Sequence, residues 1–347
     1  LGSDIDGTAS GDYSGYAVSL NDDGTILAVG SPWHSSGMGH VRVYQYNGSW
    51  TQLGSDIDGA TTWDYSGISV SLSSDGTIVA IGARYGDGNN SSSDNRGEVS
   101  VYQYSNSTWT KLGDDILGDA AGDFSGWSVS LSNDGTIVAI GAYKSHANGD
   151  DSGQVRVFQY SNSAWTQLGS EMVGNADDEA GWSVSLSSDG YTVAAGGVSN
   201  DDAGSGRGHV RIFKYKEYTQ SDDDNGTYHY TSRVQTESGQ TKSLIITEDT
   251  STAPVVGNSY WTQIGVDENM EGDYSWEGLG RSVSLSSDGS IVAAGGTNGA
   301  SGKGNTKVFE TGVPIYTTTQ ILVADIPTTV TTASIASNNS LKTNYAC

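Results

Sequence analysis

A twelve-residue stretch, Ser19-Leu20-Asn21-Asp22-Asp23-Gly24-Thr25-Ile26-Leu27-Ala28-Val29-Gly30, returns four times, at 71–82, 130–141, 185–196 and 284–295. Each copy reads Ser-Leu, two small or polar residues, Asp-Gly, then an apolar run closing on Gly. A unit recurring at this spacing is one supersecondary piece. It cannot bury its own apolar face and must stack on its copies.

In the first unit, residues 16–20 alternate large and small, the period-two signature of a strand. The turn 21–24 ends on Gly24, suited to positive φ, and 26–29 is a fully apolar second strand. A Gly- and Ser-rich loop leads to a third alternating strand, 40–46, and a short fourth, 50–53. The same four strands are expected at 68–72, 78–81, 98–104 and 109–112, and again at 127–131, 137–140, 154–160 and 165–168. The fourth unit places them at 182–186, 192–195, 209–215 and 261–264. The fifth has 281–285, 291–294 and 305–310, with a faint fourth strand at 319–321.

The prediction is an all-β fold, a β-propeller of four-stranded antiparallel blades with five blades visible. The blades span about 12–59, 64–118, 123–174, 178–272 and 277–326, and 327–347 is a Ser/Thr-rich tail or linker. The repeated Leu steps by 52, 59, 55 and then 99 residues. The long step reflects an insert, 216–258, that holds two strand-like runs, 227–235 and 241–247, flanked by acidic sequence. The ring is expected to close at five, with 1–7 in phase to complete a split blade. The alternative is a larger ring of which these blades are a part. Opening at Leu1 in mid-repeat, without Met, implies a processed form or a piece of a longer chain.

Lys and Arg number 16 against 41 Asp and Glu, a net charge of −25, which would repel a phosphate backbone and argues against nucleic acid. No apolar run reaches the roughly 20 residues of a membrane span. The single cysteine, Cys347, excludes an internal disulfide, so packing alone must hold the fold.

The units resemble FG-GAP repeats, the blades of the integrin α-subunit propeller. The resemblance rests on Val79-Ala80-Ile81-Gly82-Ala83 with Gly97-Glu98-Val99-Ser100-Val101-Tyr102, and on the matching 138–142 with 153–158. It covers roughly 12–310. The family's calcium loop is not carried over: it has shrunk here to Ser-x-Asp-Gly, as in Ser73-Ser74-Asp75-Gly76.

Five carboxylates, Asp12, Asp64, Asp123, Asp178 and Glu277, each stand three residues before the Gly that opens an inner strand. In a ring they would circle one channel mouth. They are read as loop caps first and as a calcium site second. Asp23, Asp75, Asp134, Asp189 and Asp288 are read as turn residues. Tyr16, Ile68, Trp127, Trp182 and Arg281 share one variable position, read as packing between blades first and as sugar stacking second. Trp50, Trp109, Trp165 and Trp261 open the outer strands and are read as packing. The five histidines lack zinc-ligand spacing, and no catalytic signature appears. Glycosylation acceptors occur at Asn47, Asn89, Asn90, Asn106, Asn225 and Asn338.

The expected function is a non-enzymatic, extracellular or cell-surface structural or adhesive module that assembles with other protein subunits, itself included. A glycan- or calcium-binding propeller module is the alternative, and a propeller glycoside hydrolase stands third. No cofactor is expected, calcium aside. Specific function is expected where the units differ: the loops after Gly30, Gly82 and Gly141, the insert, and the tail.

Overall fold

The computed structural model describes residues 1–87, 94–200, 206–217, 230–236, 242–248, 259–264, 270–273, 275–298, 303–311, 334–335 and 341–342. Five antiparallel sheets follow one another along the chain. Sheet 1 runs Ala17–Leu20, Ile26–Ser31, His40–Tyr46 and Trp50–Gln52 from inside to outside. Sheet 2 runs Ser66–Leu72, Ile78–Ala83, Glu98–Ser105 and Thr108–Lys111. Sheet 3 runs Ser128–Leu131, Ile137–Ala142, Gln154–Ser161 and Ala164–Gln167. Sheet 4 runs Ala180–Leu186, Thr192–Gly197, His209–Glu217 and Ser259–Ile264. Sheet 5 has Ser282–Leu285, Ile291–Gly296 and Asn305–Glu310. These are β-propeller blades, as the repeat implies.

Sheets 1 to 3 keep the four expected strands and add to them. Each gains a fifth: Ile57–Asp58, Ile116–Leu117 or Met172–Val173 pairs with the third strand as the chain leaves for the next blade. The inserted hairpin is present, with Tyr230–Thr236 paired to Lys242–Glu248. The faint fourth strand of the fifth unit, 319–321, lies outside the described residues, as do most of the insert's flanks and of the tail.

The Asp-Gly turns close each inner hairpin by local chemistry. Asp75 accepts hydrogen bonds from Thr77 N at 2.9 Å and Ser73 Oγ at 2.7 Å, and Gly76 takes φ of 71°. Asp134 repeats the pattern with Thr136 and Ser132.

Core residues lie between blades. Ile78, Ala80, Val99 and Val101 of sheet 2 pack on Val129, Leu131, Val138 and Ile140 of sheet 3. Three polar devices recur along the seams. A serine hydroxyl of one inner strand donates to a glycine carbonyl of the next: Ser69 to Gly126, Ser128 to Gly181, Ser183 to Gly280, at 2.7 to 2.8 Å. A second serine accepts from the next blade's Leu N–H, as Ser71 does from Leu131 at 3.0 Å. On the outside, each indole donates to a leucine carbonyl of the preceding unit, Trp109 to Leu53, Trp165 to Leu112 and Trp261 to Leu168. Trp50 makes the same bond to Leu1 at 3.0 Å, so Leu1 occupies the place of a preceding unit's leucine. Trp165→Phe keeps an aromatic side chain but removes the donor to the Leu112 carbonyl. Chemical denaturation is expected to show a loss of about 1–2 kcal/mol.

The expectation of closure at five is not met among the described residues. Consecutive inner strands pack together, but those of sheets 1 and 5 do not pack against each other in that way. Both end faces stay open: Val18 and Leu20 are 60% and 58% exposed, and Val308 is 67% exposed. By the pattern of the other seams, Ser282 and Ser284 of sheet 5 would match the Gly15 carbonyl and Leu20 N–H of sheet 1, but no such bonds join the two sheets among the described residues.

Candidate functional site: an aromatic and arginine belt

The site begins with the five carboxylates, all buried. Each is bonded within its own loop or to an adjoining strand. Asp12 accepts from Thr8 Oγ1 at 2.8 Å, Ala9 N at 3.0 Å and His34 Nδ1 at 3.1 Å. Asp64 accepts from Thr61 N at 2.8 Å, Asp123 from Ala120 N at 2.9 Å, and Asp178 from Asn175 N at 2.6 Å. Glu277 accepts from Asp273 N at 2.7 Å and from Asn305 Nδ2. This is the geometry of loop caps. Among the described residues, none of the five belongs to a three-ligand cluster. Burial pushes the Asp64 and Asp123 carboxyls above the usual range. Burial acts the same way on Asp12, but its bonds from His34, Thr8 and Ala9 outweigh it and hold the carboxyl low.

The caps hold strained loops. The residue after the carboxylate is left-handed in four units: Tyr13 at φ 51°, Tyr65 at 57°, Phe124 at 56° and Glu179 at 54°. Trp63 and Trp276, just before their carboxylates, sit at 76° and 65°. A bulky side chain at positive φ is a genuine outlier, costing on the order of 1–3 kcal/mol, and persists where surrounding bonds over-determine it. Here the buried carboxylate supplies those bonds, and the outcome is a ring displayed at the start of blades 1, 2, 3 and 5.

These rings join others into one belt. Trp33 lies 4.9 Å from Tyr13, 5.1 Å from Tyr16 and 5.4 Å from Tyr65, centroid to centroid. The chain continues from Tyr65 to Tyr85 at 5.4 Å, Tyr85 to Phe124 at 5.0 Å and Phe124 to Tyr143 at 5.9 Å. Tyr143 then meets Trp127 and Trp182, both at 4.8 Å. Most contacts are edge-on or tilted, the preferred aromatic geometry. Arg84 lies over Tyr85 at 4.6 Å, Trp127 at 5.1 Å and Tyr65 at 5.3 Å, and its Nε is buried without a hydrogen-bond partner. Arg281 covers Trp182 at 5.1 Å. At the sheet 4–5 end, a cavity of about 350 Å³ opens between Trp182, Trp276, Arg281 and Glu179.

The belt is also a surface. Trp276, Trp63, Tyr13 and Tyr16 are 70%, 63%, 63% and 49% exposed. The variable position thus divides: Ile68 is buried, Trp127 and Trp182 pack on each other, and Tyr16 and Arg281 face outward. Sequence reasoning missed Tyr13, Tyr65 and Phe124, although an aromatic follows the carboxylate in each of the first three units. It did point to the loops after Gly30, Gly82 and Gly141, which supply Trp33, Tyr85 and Tyr143. Asn47 and Asn106 are exposed in their turns, whereas Asn89, Asn90, Asn225 and Asn338 lie outside the described residues.

Fold and site together define a β-propeller-type repeat protein with an aromatic rim. Residues 118–158, which hold the first two strands of sheet 3 and most of the third, match the family model described as FG-GAP repeat. The resemblance drawn from the motifs is therefore met in the third unit, and the other four sheets repeat its first three strands. No curated protein matches the chain. Among solved structures, TolB from Acinetobacter baumannii aligns over 85% of this chain at 14% identity with a TM-score of 0.37. This chain spans 51% of that one, about half its length.

Proposed function

We propose that this chain is a non-catalytic protein-interaction propeller, extracellular or at a cell surface, whose aromatic belt docks other protein subunits of a layer, filament or appendage. The observation that carries the reading is the belt. It combines exposed Trp and Tyr with Arg, the residue types that dominate binding hot spots. Its rings are pre-ordered by the loop caps, so little conformational freedom is lost on docking. The FG-GAP match supports an extracellular setting, since such repeats are typical of extracellular proteins. The carboxylates recur once per unit, as scaffolding does, which supports a role without catalysis.

A second reading rests on the same rings, since Trp and Tyr faces also stack on sugars. Both readings are tested by binding the intact chain to a native surface preparation from the producing cells. Trp63→Ser with Trp276→Ser, both at exposed positions, is expected to abolish binding without lowering Tm. The protein reading expects binding to be lost after protease treatment of the preparation and kept after periodate oxidation of its sugars. The reverse pattern establishes the glycan reading, and binding indifferent to the double variant overturns the belt as the site.

A further inference from the structure

The short fifth strand of sheet 1 creates a cluster that neither the repeat nor the belt explains. In the register of that pairing His40 stands opposite Asp58 and Val41 opposite Ile57. By the two-residue period, Arg42 then stands opposite Asp56, with all four polar side chains on one face. His40, Asp56 and Asp58 bring one ligand atom each within 4.8 Å of the others. His40 is 1% exposed, and its Nδ1 has no hydrogen-bond partner. That nitrogen points toward Asp56, 3.7 Å from Oδ2, too far for a hydrogen bond. A buried ring nitrogen left without a partner carries a desolvation penalty. Here it is aimed at two carboxylates.

We propose that His40, Asp56 and Asp58 bind a divalent transition-metal ion, with Zn2+ the best match to one imidazole and two carboxylates. In a tetrahedral zinc site with bonds of about 2.0–2.2 Å, ligand atoms stand about 3.3–3.6 Å apart. The present separations close to that value by rotation of Asp58, which is exposed. Water takes the fourth position. Asp56 is already oriented, since Arg42 donates to it at 3.0 and 2.7 Å and Gln52 at 2.7 Å. The guanidinium's charge opposes a second cation, so the two ligands beside Asp56 are essential. The ion would clamp strand Ile57–Asp58 onto the third strand, where the chain crosses from blade 1 to blade 2 and Gly59 N bonds Gly39 O at 2.9 Å. Units two and three carry Leu117 and Val173 in place of Asp58, so the clamp is a property of the first blade among these three.

The test uses chelator-stripped protein and two probes, Zn2+ for uptake and stability and Co2+ for geometry. One equivalent is expected to bind, with a rise in Tm and the visible absorption of tetrahedral Co2+. His40→Gln is compatible with the fold, because Gln154 occupies the same buried position in unit three. Asp58→Asn changes an exposed side chain. Each is expected to weaken uptake by about tenfold or more and to remove the Tm rise. Absence of uptake near one equivalent overturns the proposal. So does uptake that neither variant changes, because the ion would then sit among other carboxylates.

Discussion

Gly141→Ala is expected to destabilise the protein by about 3 kcal/mol or more, whereas Gly295→Ala at the same repeat position stays within about 1 kcal/mol of neutral. A Cβ on Gly141 would sit on the carbonyl oxygen of Gly181 in the next blade, well inside van der Waals contact. Neither backbone can yield without parting sheets 3 and 4, and Ser128 is already bonded to that same carbonyl. Gly30, Gly82 and Gly196 face Gly67, Gly126 and Gly280 in the same way. At Gly295 the added atom meets only the hydroxyl of Ser282 at 2.6 Å, in its own sheet, and that hydroxyl is free to turn. Urea unfolding of both variants measures the difference. Equal costs would mean that a further sheet covers the end face of blade 5 in solution.

Acid unfolding should be governed in large part by His209. Burial, with a smaller contribution from Arg211, drives its pKa from 6.5 down to about 3. The folded state therefore keeps the ring neutral while the unfolded chain protonates it below about 6.5. The stability it contributes is complete above that pH and is lost as pH falls toward 3. At about 1.4 kcal/mol per unit, the loss over the window is on the order of 4–5 kcal/mol. His209→Gln, the residue type that unit three buries at this position, removes that slope. Stability measured at pH 7 and pH 4 should fall more steeply for the native chain than for the variant. Asp64 and Asp123 act in the opposite sense. Their raised pKa values favour the protonated form in the fold, so acidification through that range stabilises them. Equal acid limbs in the two proteins would show that His209 is not the group that yields.

The belt and the cluster of His40, Asp56 and Asp58 were legible to different degrees. The repeat located the loops that carry Trp33, Tyr85 and Tyr143, because positions that vary between units stand out from those that do not. The chain of rings was not legible, because it depends on left-handed φ at Tyr13, Tyr65 and Phe124, and no local sequence preference announces that for a bulky residue. His40, Asp56 and Asp58 share no motif spacing. They meet only because a two-residue strand folds back in one register, and a slip of one residue would send them to opposite faces.

The amino-acid order alone determined the five-fold unit, its three inner strands, its Asp-Gly turns and the inserted hairpin. All of these follow from short-range periodicity and turn chemistry, which each segment carries within itself. Closure was decided elsewhere. Whether blade 5 meets blade 1 depends on how small rotations between blades accumulate and on which seam halves find partners. Those quantities belong to the stack of blades, and only the tertiary structure shows blades 1 and 5 unjoined among the described residues.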